Sequence, residues 1–171
     1  MPYLRIDHWY DLPGYVNFLA TAVRTGLRSL PDRTKVFFTA HSLPLRTLEN
    51  DPYLDELQAS ARAVAERSGL ERFAEWGCCF QSAGRTPDPW AGPDVLEMIR
   101  TLGETGRAEG VLVCPHGFVT DHLEVAYDLD IDAAQVAAES GLAFARTPTV
   151  DNDPAVMAEL ADLVMHRAEK T

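Results

Sequence analysis

The sequence predicts an α/β fold in which helices cover both faces of a doubly wound parallel sheet of about four strands. Apolar residues alternate, along all 171 residues, between helical spacing and the short runs typical of strands. The segment from Lys35 to Ala40 is a short apolar run, as expected of a central parallel strand buried on both faces. Helices between successive strands imply right-handed crossovers. We therefore expect residues 1–171 to form one domain.

The first elements are predicted to be a strand, a long helix and the central strand. Residues 3–9 have the pattern of a short strand. Asp11 is expected to cap, and Pro13 to begin, a helix over residues 13–30. Pro31 and Asp32 then end that helix before the strand at residues 35–40.

The middle of the chain is predicted to hold a helix, a strand and a loop. The helix runs from about residue 52 to residue 68, with Gly69 where a C-terminal cap is expected. Residues 73–80 are the next strand candidate. Residues 77–92 contain three glycines and two prolines, a composition typical of an ordered loop.

The last part of the chain continues the alternation. Pro93 is expected to begin a helix, which the strand at residues 111–114 follows. A loop over residues 115–121 leads to a helix from about His122. The remaining predicted elements are a further helix near residues 133–140, a short strand at residues 143–146 and a final helix from Asp153.

The composition excludes several kinds of partner. With 15 Lys and Arg against 26 Asp and Glu, the net charge is −11, which repels nucleic acid phosphates and anionic lipid surfaces. The sequence contains no apolar run of bilayer length and no signal-peptide pattern. We therefore expect no nucleic acid partner, no membrane insertion and a cytoplasmic location. A metal cation is compatible with the charge.

The three cysteines do not form a recognisable framework. Cys78 and Cys79 are adjacent and Cys114 is separate, so there is neither a C-x-x-C pair nor an even set of spaced cysteines. A domain of this length needs no disulfide to stabilise its core. We expect all three thiols to be reduced core residues.

Three predicted loops meet where a doubly wound sheet binds its ligands, at the carboxyl ends of the strands. They carry His41, the segment 81–90 and the segment 115–124. An isolated histidine such as His41 is either a structural residue or a ligand, and spacing alone does not decide between them.

The segment after His122 is rich in carboxylates. On a helix, Glu124, Asp128 and Asp132 fall at positions i, i+4 and i+8 and share one side. Such a row is either a solvated acidic face or a path for a hydrated divalent cation, which prefers oxygen ligands.

The loop over residues 81–90 combines hydrogen-bond donors, a positive charge and a flat aromatic ring. Gln81 and Ser82 supply the donors, Arg85 the charge and Trp90 the ring. This set suits a planar ligand with carboxylate edges, or equally a packed loop with Trp90 in the core.

Taken together, four segments resemble the signature motifs of the ferrochelatase family. Residues 38–44, FTAHSLP, are similar to the family's histidine motif, and residues 50–53, NDPY, follow where the family has Asp-Pro-Tyr. Residues 80–94, FQSAGRTPDPWAGPD, are similar to its long central signature, and residues 115–124, PHGFVTDHLE, to its glutamate motif. The resemblance covers essentially the whole chain.

The resemblance implies a Rossmann-like, chelatase-type fold and the insertion of ferrous iron into a porphyrin, protoporphyrin IX or coproporphyrin III, in haem biosynthesis. It implies that His41 and Glu124 are the paired catalytic and metal-contacting residues, with Asp128 and Asp132 continuing the metal site along the helix. The residues it implies for the porphyrin pocket are Tyr53, Gln81, Ser82, Arg85, Trp90, Phe118 and His122. Iron and porphyrin are then substrates, and no permanently bound cofactor is expected.

The chain departs from the family in length. Members are usually about twice as long, with two similar halves that clamp the porphyrin, and this chain resembles the second half only. We therefore expect a homodimer or a separate chain that resembles the first half. Many members hold an iron–sulfur cluster through a C-terminal group of cysteines, which the three cysteines here do not match, so no cluster is expected.

Two other functions stay open at this stage. The first is a half-domain that binds porphyrin, haem or iron without turnover, although the presence of both His41 and Glu124 favours the enzyme. The other alternative is a small cobalt or sirohydrochlorin chelatase, and the segment from Gln81 to Trp90 argues against it.

Overall fold

The computed structural model describes residues 3–70 and 75–169. Within these residues lies a four-stranded sheet with strands β1 (Thr34–His41), β2 (Trp76–Gln81), β3 (Gly110–Cys114) and β4 (Ala143–Arg146). The strand order is β2-β1-β3-β4, and every neighbouring pair is parallel. The predicted doubly wound α/β fold is confirmed.

Five helices surround the sheet in the described part of the chain. They are α1 (Pro13–Leu27), α2 (Tyr53–Ser68), α3 (Val95–Thr105), α4 and α5 (Pro154–Glu169). Helix α4 is continuous, from an α-helical turn at Leu123–Val125 through a π-helix at Ala126–Ala133 to a second α-helical segment at Ala134–Glu139. A 3-10 turn at Leu45–Thr47 follows β1.

The helices bury both faces of the sheet. Side chains alternate across a strand, so Val36 and Phe38 of β1 face the core under α1, α2 and α5. Phe37, between them in sequence, faces the other core, under α3 and α4. All three are fully buried, which explains why the β1 sequence is apolar throughout.

The prediction for the amino-terminal residues is wrong. Residues 3–9 form no strand, and most of them are exposed. A strand needs a hydrogen-bonded neighbour, and none lies beside them in the described sheet, whose order is β2-β1-β3-β4. Trp9 instead packs edge-on against Tyr15, with ring centroids 5.3 Å apart.

Several element boundaries also differ from those predicted. Helix α1 has Leu12, not Asp11, at its N-cap, without a side-chain hydrogen bond, and ends at Leu27 rather than residue 30. Helix α3 begins at Val95 rather than Pro93, because the Asp94 carboxylate caps it by accepting hydrogen bonds from the backbone N–H groups of Leu96 and Glu97. Gly69 caps α2 as predicted, in the left-handed conformation.

The second strand lies later than predicted. It runs from Trp76 to Gln81, so the predicted loop over residues 77–92 begins only at Ser82. The part of the predicted strand at residues 73 and 74 lies outside the described residues. The two helices predicted from residue 122 and near residues 133–140 are in fact the single helix α4.

The loop after β3 lies close against the end of β1. Gly117 donates its backbone N–H to the carbonyl of Thr39 at 3.0 Å. A Cβ at Gly117 would come within 2.4 Å of the Cβ and 2.9 Å of the Cα of Ala40, so only glycine permits this approach. The loop therefore continues along β1 beyond the end of β3.

The three cysteines are free and partly or fully buried. Burial raises the pKa of the Cys78 thiol to about 11 and that of the Cys114 thiol to about 12. Thiolates are therefore scarce at neutral pH, as expected of core thiols.

No helix among the described residues is long and apolar enough to cross a membrane.

His116 lies in the loop after β3, and its side chain is buried in the core. It is 3% exposed, its ring lies edge-on to Phe38, and its Nε2 lies 3.1 Å from the carbonyl oxygen of Leu57. Because a carbonyl only accepts, Nε2 donates this hydrogen bond. Burial lowers the pKa of His116 from 6.5 to about 4.

The low pKa of His116 predicts a loss of stability in acid. The unfolded chain protonates this imidazole below pH 6.5 and the folded chain only near pH 4, so the free energy of unfolding falls across that interval by about 3 kcal/mol in total. A His116→Gln variant keeps an amide donor for Leu57 but does not titrate. Urea unfolding between pH 7 and pH 4 should show a smaller loss for this variant than for the parent.

The control is His166→Gln, since His166 is exposed on α5. It should follow the parent at every pH. Parallel curves for His116→Gln and the parent would contradict the assignment.

Candidate functional site

The ends of the first three strands bring the predicted site residues to one edge of the sheet. His41 ends β1 and pairs in register with Gln81, which ends β2. The loop after β3 leads into α4, whose first turn contains Glu124. The Nε2 atom of His41 lies 3.9 Å from an Oε atom of Glu124. The structure therefore brings together the two residues on which the sequence analysis placed most weight.

The His41 ring is oriented by backbone contacts. Its Nδ1 lies 2.5 Å from the carbonyl oxygen of Ser42 and therefore donates to it. Tyr53 donates its hydroxyl to the carbonyl of His41 at 2.9 Å, and Ser42 donates its own hydroxyl to the carbonyl of Ala91 at 2.7 Å. In the neutral imidazole this arrangement leaves the lone pair on Nε2, directed to the side where Glu124 lies.

The spacing of the pair suits two ligands of one ion. A separation of 3.9 Å is too long for a hydrogen bond. Two ligands each roughly 2 Å from a common metal ion lie roughly 3–4 Å apart. The side chain of His41 is 36% exposed and that of Glu124 59% exposed, so a ligand can reach both.

Helix α4 carries the acidic row in an unusual backbone. The π-helix at Ala126–Ala133 contains Asp128 and Asp132, where an α-helix was predicted. A π-helix has i→i+5 hydrogen bonds and roughly four to five residues per turn, so residues four apart still share one side. Such segments are rare and occur frequently at functional sites.

Asp128 is tied to the end of β2. It accepts a short hydrogen bond from the hydroxyl of Ser82 and a longer one, at 3.5 Å, from the amide of Gln81. Ser82 has a φ of 60°, a left-handed conformation uncommon for residues other than glycine. Gln81 is 2% exposed, so its side chain acts here through Asp128 rather than at the surface.

Asp128 and Asp132 do not complete a closed metal site around the pair. In the part of the chain that the structure describes, no three His, Cys, Asp or Glu side chains converge closely enough to enclose an ion. His41 and Glu124 therefore form a pair that is open to solvent, and the remaining carboxylates continue along α4.

The other predicted pocket residues surround the pair to different degrees. The ring of Phe118 lies 6.4 Å from that of His41 and 5.4 Å from that of His122, which is exposed. Trp90 is half-buried against Gly84, where a Cβ would meet the indole at 2.6 Å. Its Nε1 is buried without a hydrogen-bond partner. Arg85 is exposed in the loop after β2.

The loop that carries Trp90 is joined to the residues after His41 by backbone hydrogen bonds. Leu45 donates to the carbonyl of Pro89 at 2.8 Å, and Ala91 donates to the carbonyl of Leu43 at 2.9 Å. A further bridge pairs Pro44 with Trp90. This loop is therefore ordered, as the sequence predicted.

Sequence reasoning missed one charged residue beside the site. Arg146, at the end of β4, contacts Asp130 through Nε at 2.6 Å and Nη2 at 2.9 Å. The same guanidinium contacts Asp121 through Nη1 at 2.9 Å and Nη2 at 3.3 Å. No local pattern marks this arginine, because its partners lie 16 and 25 residues away in the chain.

Comparison with known proteins was consistent with the motifs. The family model described as Ferrochelatase matches residues 1–168. The chain is 41% identical to a ferrochelatase of Deinococcus radiodurans over 168 residues, which cover 95% of this chain and 52% of that protein. It is 37% identical to a coproporphyrin III ferrochelatase of Geobacillus kaustophilus over 167 residues, covering 95% and 52%.

The chain thus spans about half the length of the curated relatives it matches. Since the family model matches nearly all of it, the chain belongs to the ferrochelatase family.

Proposed function

We propose that this chain is the catalytic half of a ferrochelatase that inserts ferrous iron into a porphyrin, protoporphyrin IX or coproporphyrin III. The observation that carries the proposal is the separation of 3.9 Å between His41 Nε2 and Glu124, at the strand ends of a family member. Metallation requires one group that accepts pyrrole protons and another that exchanges water on the incoming ion. The pair supplies both.

His41 is the proton acceptor or nitrogen ligand in this proposal. The hydrogen bond from Nδ1 to Ser42 fixes the ring and leaves Nε2 to face the substrate. An imidazole gains and loses protons near neutral pH, which suits the removal of pyrrole protons.

Glu124 is the oxygen ligand that replaces water on the ion and balances its charge. Asp128 and Asp132 extend the negative charge along α4 and raise the local concentration of the cation. Asp128 has donors from Ser82 and Gln81 on its carboxylate, so Asp132 is the more available of the two.

The porphyrin lies, in this proposal, against Tyr53, Ser82, Arg85, Trp90, Phe118 and His122, with Gln81 supporting them from the core. Ordered aromatic residues form a firm wall, and the Trp90 loop is held by the backbone bonds to Leu43 and Leu45. Such a wall can deform the macrocycle and expose its nitrogen lone pairs. No iron–sulfur cluster takes part in this proposal.

A second protein surface is needed to close the site. The side chains of His41 and Glu124 are both open to solvent, whereas metal exchange with a porphyrin benefits from excluding water. We propose that a second copy of this chain, or a separate chain similar to the first half of the longer relatives, covers them.

The second candidate is a half-domain that binds porphyrin, haem or iron without turnover. The exposure of the pair favours it, because side chains that are open to solvent do not exclude water from a bound ion. Anaerobic incubation with ferrous iron and each porphyrin, followed by the Soret and Q bands and with the mass in solution recorded, separates the two candidates. Turnover supports the enzyme, and a spectral shift of bound porphyrin without metallation supports the half-domain.

One prediction of the proposed function concerns the pair itself. His41→Ala and Glu124→Gln should each reduce iron insertion at least about 100-fold, because each removes a group that transfers protons or binds the ion. The far-UV circular dichroism should match that of the parent. Rates are followed by the Soret band under the conditions in which the parent inserts iron.

Matched controls are His166→Ala and Glu104→Gln, both exposed and on other helices. Each should retain the parental rate. Insertion at the parental rate by either variant of the pair would show that the assigned roles are wrong.

Another prediction of the proposed function concerns the acidic row. Asp132→Asn should raise the iron concentration at half-maximal rate by about 3- to 10-fold while leaving the maximal rate nearly unchanged, because the carboxylate attracts the ion without contacting the reacting nitrogens. Asp162→Asn, an exposed change on α5, is the control for net charge. An unchanged dependence on iron concentration would remove Asp132 from the metal path.

A further inference from the structure

Arg146, at the end of β4, forms hydrogen bonds with two carboxylates of the acidic segment at residues 121–132. Its guanidinium forms a two-bonded fork with Asp130 and a second one with Asp121. Its side chain is only 16% exposed. A planar guanidinium is suited to such bidentate contacts, whereas an ammonium group is not.

The two contacts divide the acidic residues of the segment into two groups. Residues 121–132 contain five carboxylates. Arg146 binds Asp121 and Asp130, and it leaves Glu124, Asp128 and Asp132. Asp130 lies two residues from both Asp128 and Asp132, so it projects from the other side of the helix.

The two residues that Arg146 contacts lie on either side of Glu124 in sequence. Asp121 lies three residues before Glu124 and Asp130 six residues after it. His122 at the N-cap of α4 makes no side-chain hydrogen bond to the first turn. Val125 in that turn is buried in the core, and the contacts of Arg146 hold the polar side of the segment. Fixing the segment at both points therefore fixes the rotation of α4 and the direction of Glu124.

The loop before α4 is held from the same region. Thr149, which follows β4, donates to Asp121 at 3.2 Å, and Asp151 accepts hydrogen bonds from the hydroxyl of Thr120 and the backbone N–H of Asp121. The end of β4 thus sets the position of the segment that enters the site.

We propose that Arg146 is a positioning residue. Its two bidentate contacts, with Asp121 and Asp130, hold the Glu124 carboxylate at the distance from His41 that a metal ion requires. This inference rests on the proposed function, in which His41 and Glu124 bind the same ion.

A purely electrostatic effect of Arg146 and a positioning role predict opposite changes in cation affinity when Arg146 is replaced. Removing a positive charge beside an acidic row should strengthen the binding of a cation. Losing the contacts of Arg146 with Asp121 and Asp130 should instead weaken cation binding, because Glu124 is then no longer held opposite His41. The sign of the change in affinity therefore distinguishes the two.

The test is a titration of the 171-residue chain with Co²⁺, followed by visible absorption and calorimetry. The quantity compared is the binding that disappears in His41→Ala. Arg146→Met should weaken this binding at least about tenfold, and Arg146→Lys, which keeps the charge but not the fork, should weaken it several-fold. Circular dichroism reports whether each variant folds. If Arg146→Met does not fold, the result for Arg146→Lys decides the test.

The control is Arg33→Met, which removes the same charge from an exposed pair with Glu109 before β1, where the two groups lie 3.2 Å apart. It should bind Co²⁺ as the parent does. Unchanged or tighter His41-dependent binding in folded Arg146→Met, or parental affinity in Arg146→Lys, would overturn the inference and leave the proposed function intact. Parental Co²⁺ binding that does not depend on His41 would overturn the proposed function, and the inference with it.

Discussion

The parallel pairing of β1 with its two neighbours is the constraint on which the site depends. The register sets His41 beside Gln81, so the ends of β1 and β2 lie together. Strand β3 ends at Cys114, which lies opposite Phe38 and therefore three residues before the end of β1. The loop after β3 must cover that difference. It does so by running close over Ala40 at Gly117, which brings Glu124 to His41.

Hydrogen bonds from neighbouring residues fix the side chains that approach the site from different strands. Ser42 and Tyr53 fix His41, Ser82 and Gln81 fix Asp128, and the end of β4 holds the segment around Glu124. The buried imidazole of His116 anchors the loop from below. Four strands therefore contribute to a site whose two central groups remain open to solvent.

The sequence predicted the fold class, the central strand and the edge of the sheet at which the loops meet, because these follow from apolar patterning and from the rules for parallel sheets. It also selected His41 and Glu124, through motifs rather than through spacing. It did not predict the π-helix, which has no distinct apolar pattern, or the lack of a strand at residues 3–9, which depends on neighbours distant in sequence. The contacts of Asp128 with Gln81 and of Arg146 with Asp121 and Asp130 were missed for the same reason.

The charge of the chain is compatible with the proposal that the open pair binds a cation. A net charge of −11, with a row of carboxylates leading from the pair, attracts divalent ions to this edge of the sheet. Two copies meeting through this surface would bring their acidic rows together, and the rows would repel unless cations lay between them. Any second wall must therefore supply apolar or basic surface, or enclose metal ions.

The most direct test of the central claim, that His41 and Glu124 bind one ion, is to locate Co²⁺ by anomalous diffraction in a crystal of this chain. The account predicts a peak between the two side chains, within roughly 2.0–2.2 Å of His41 Nε2 and of a Glu124 carboxylate oxygen. An ion bound by Asp128 and Asp132 without His41, or no peak at this edge of the sheet in a crystal that binds Co²⁺ elsewhere, would contradict it.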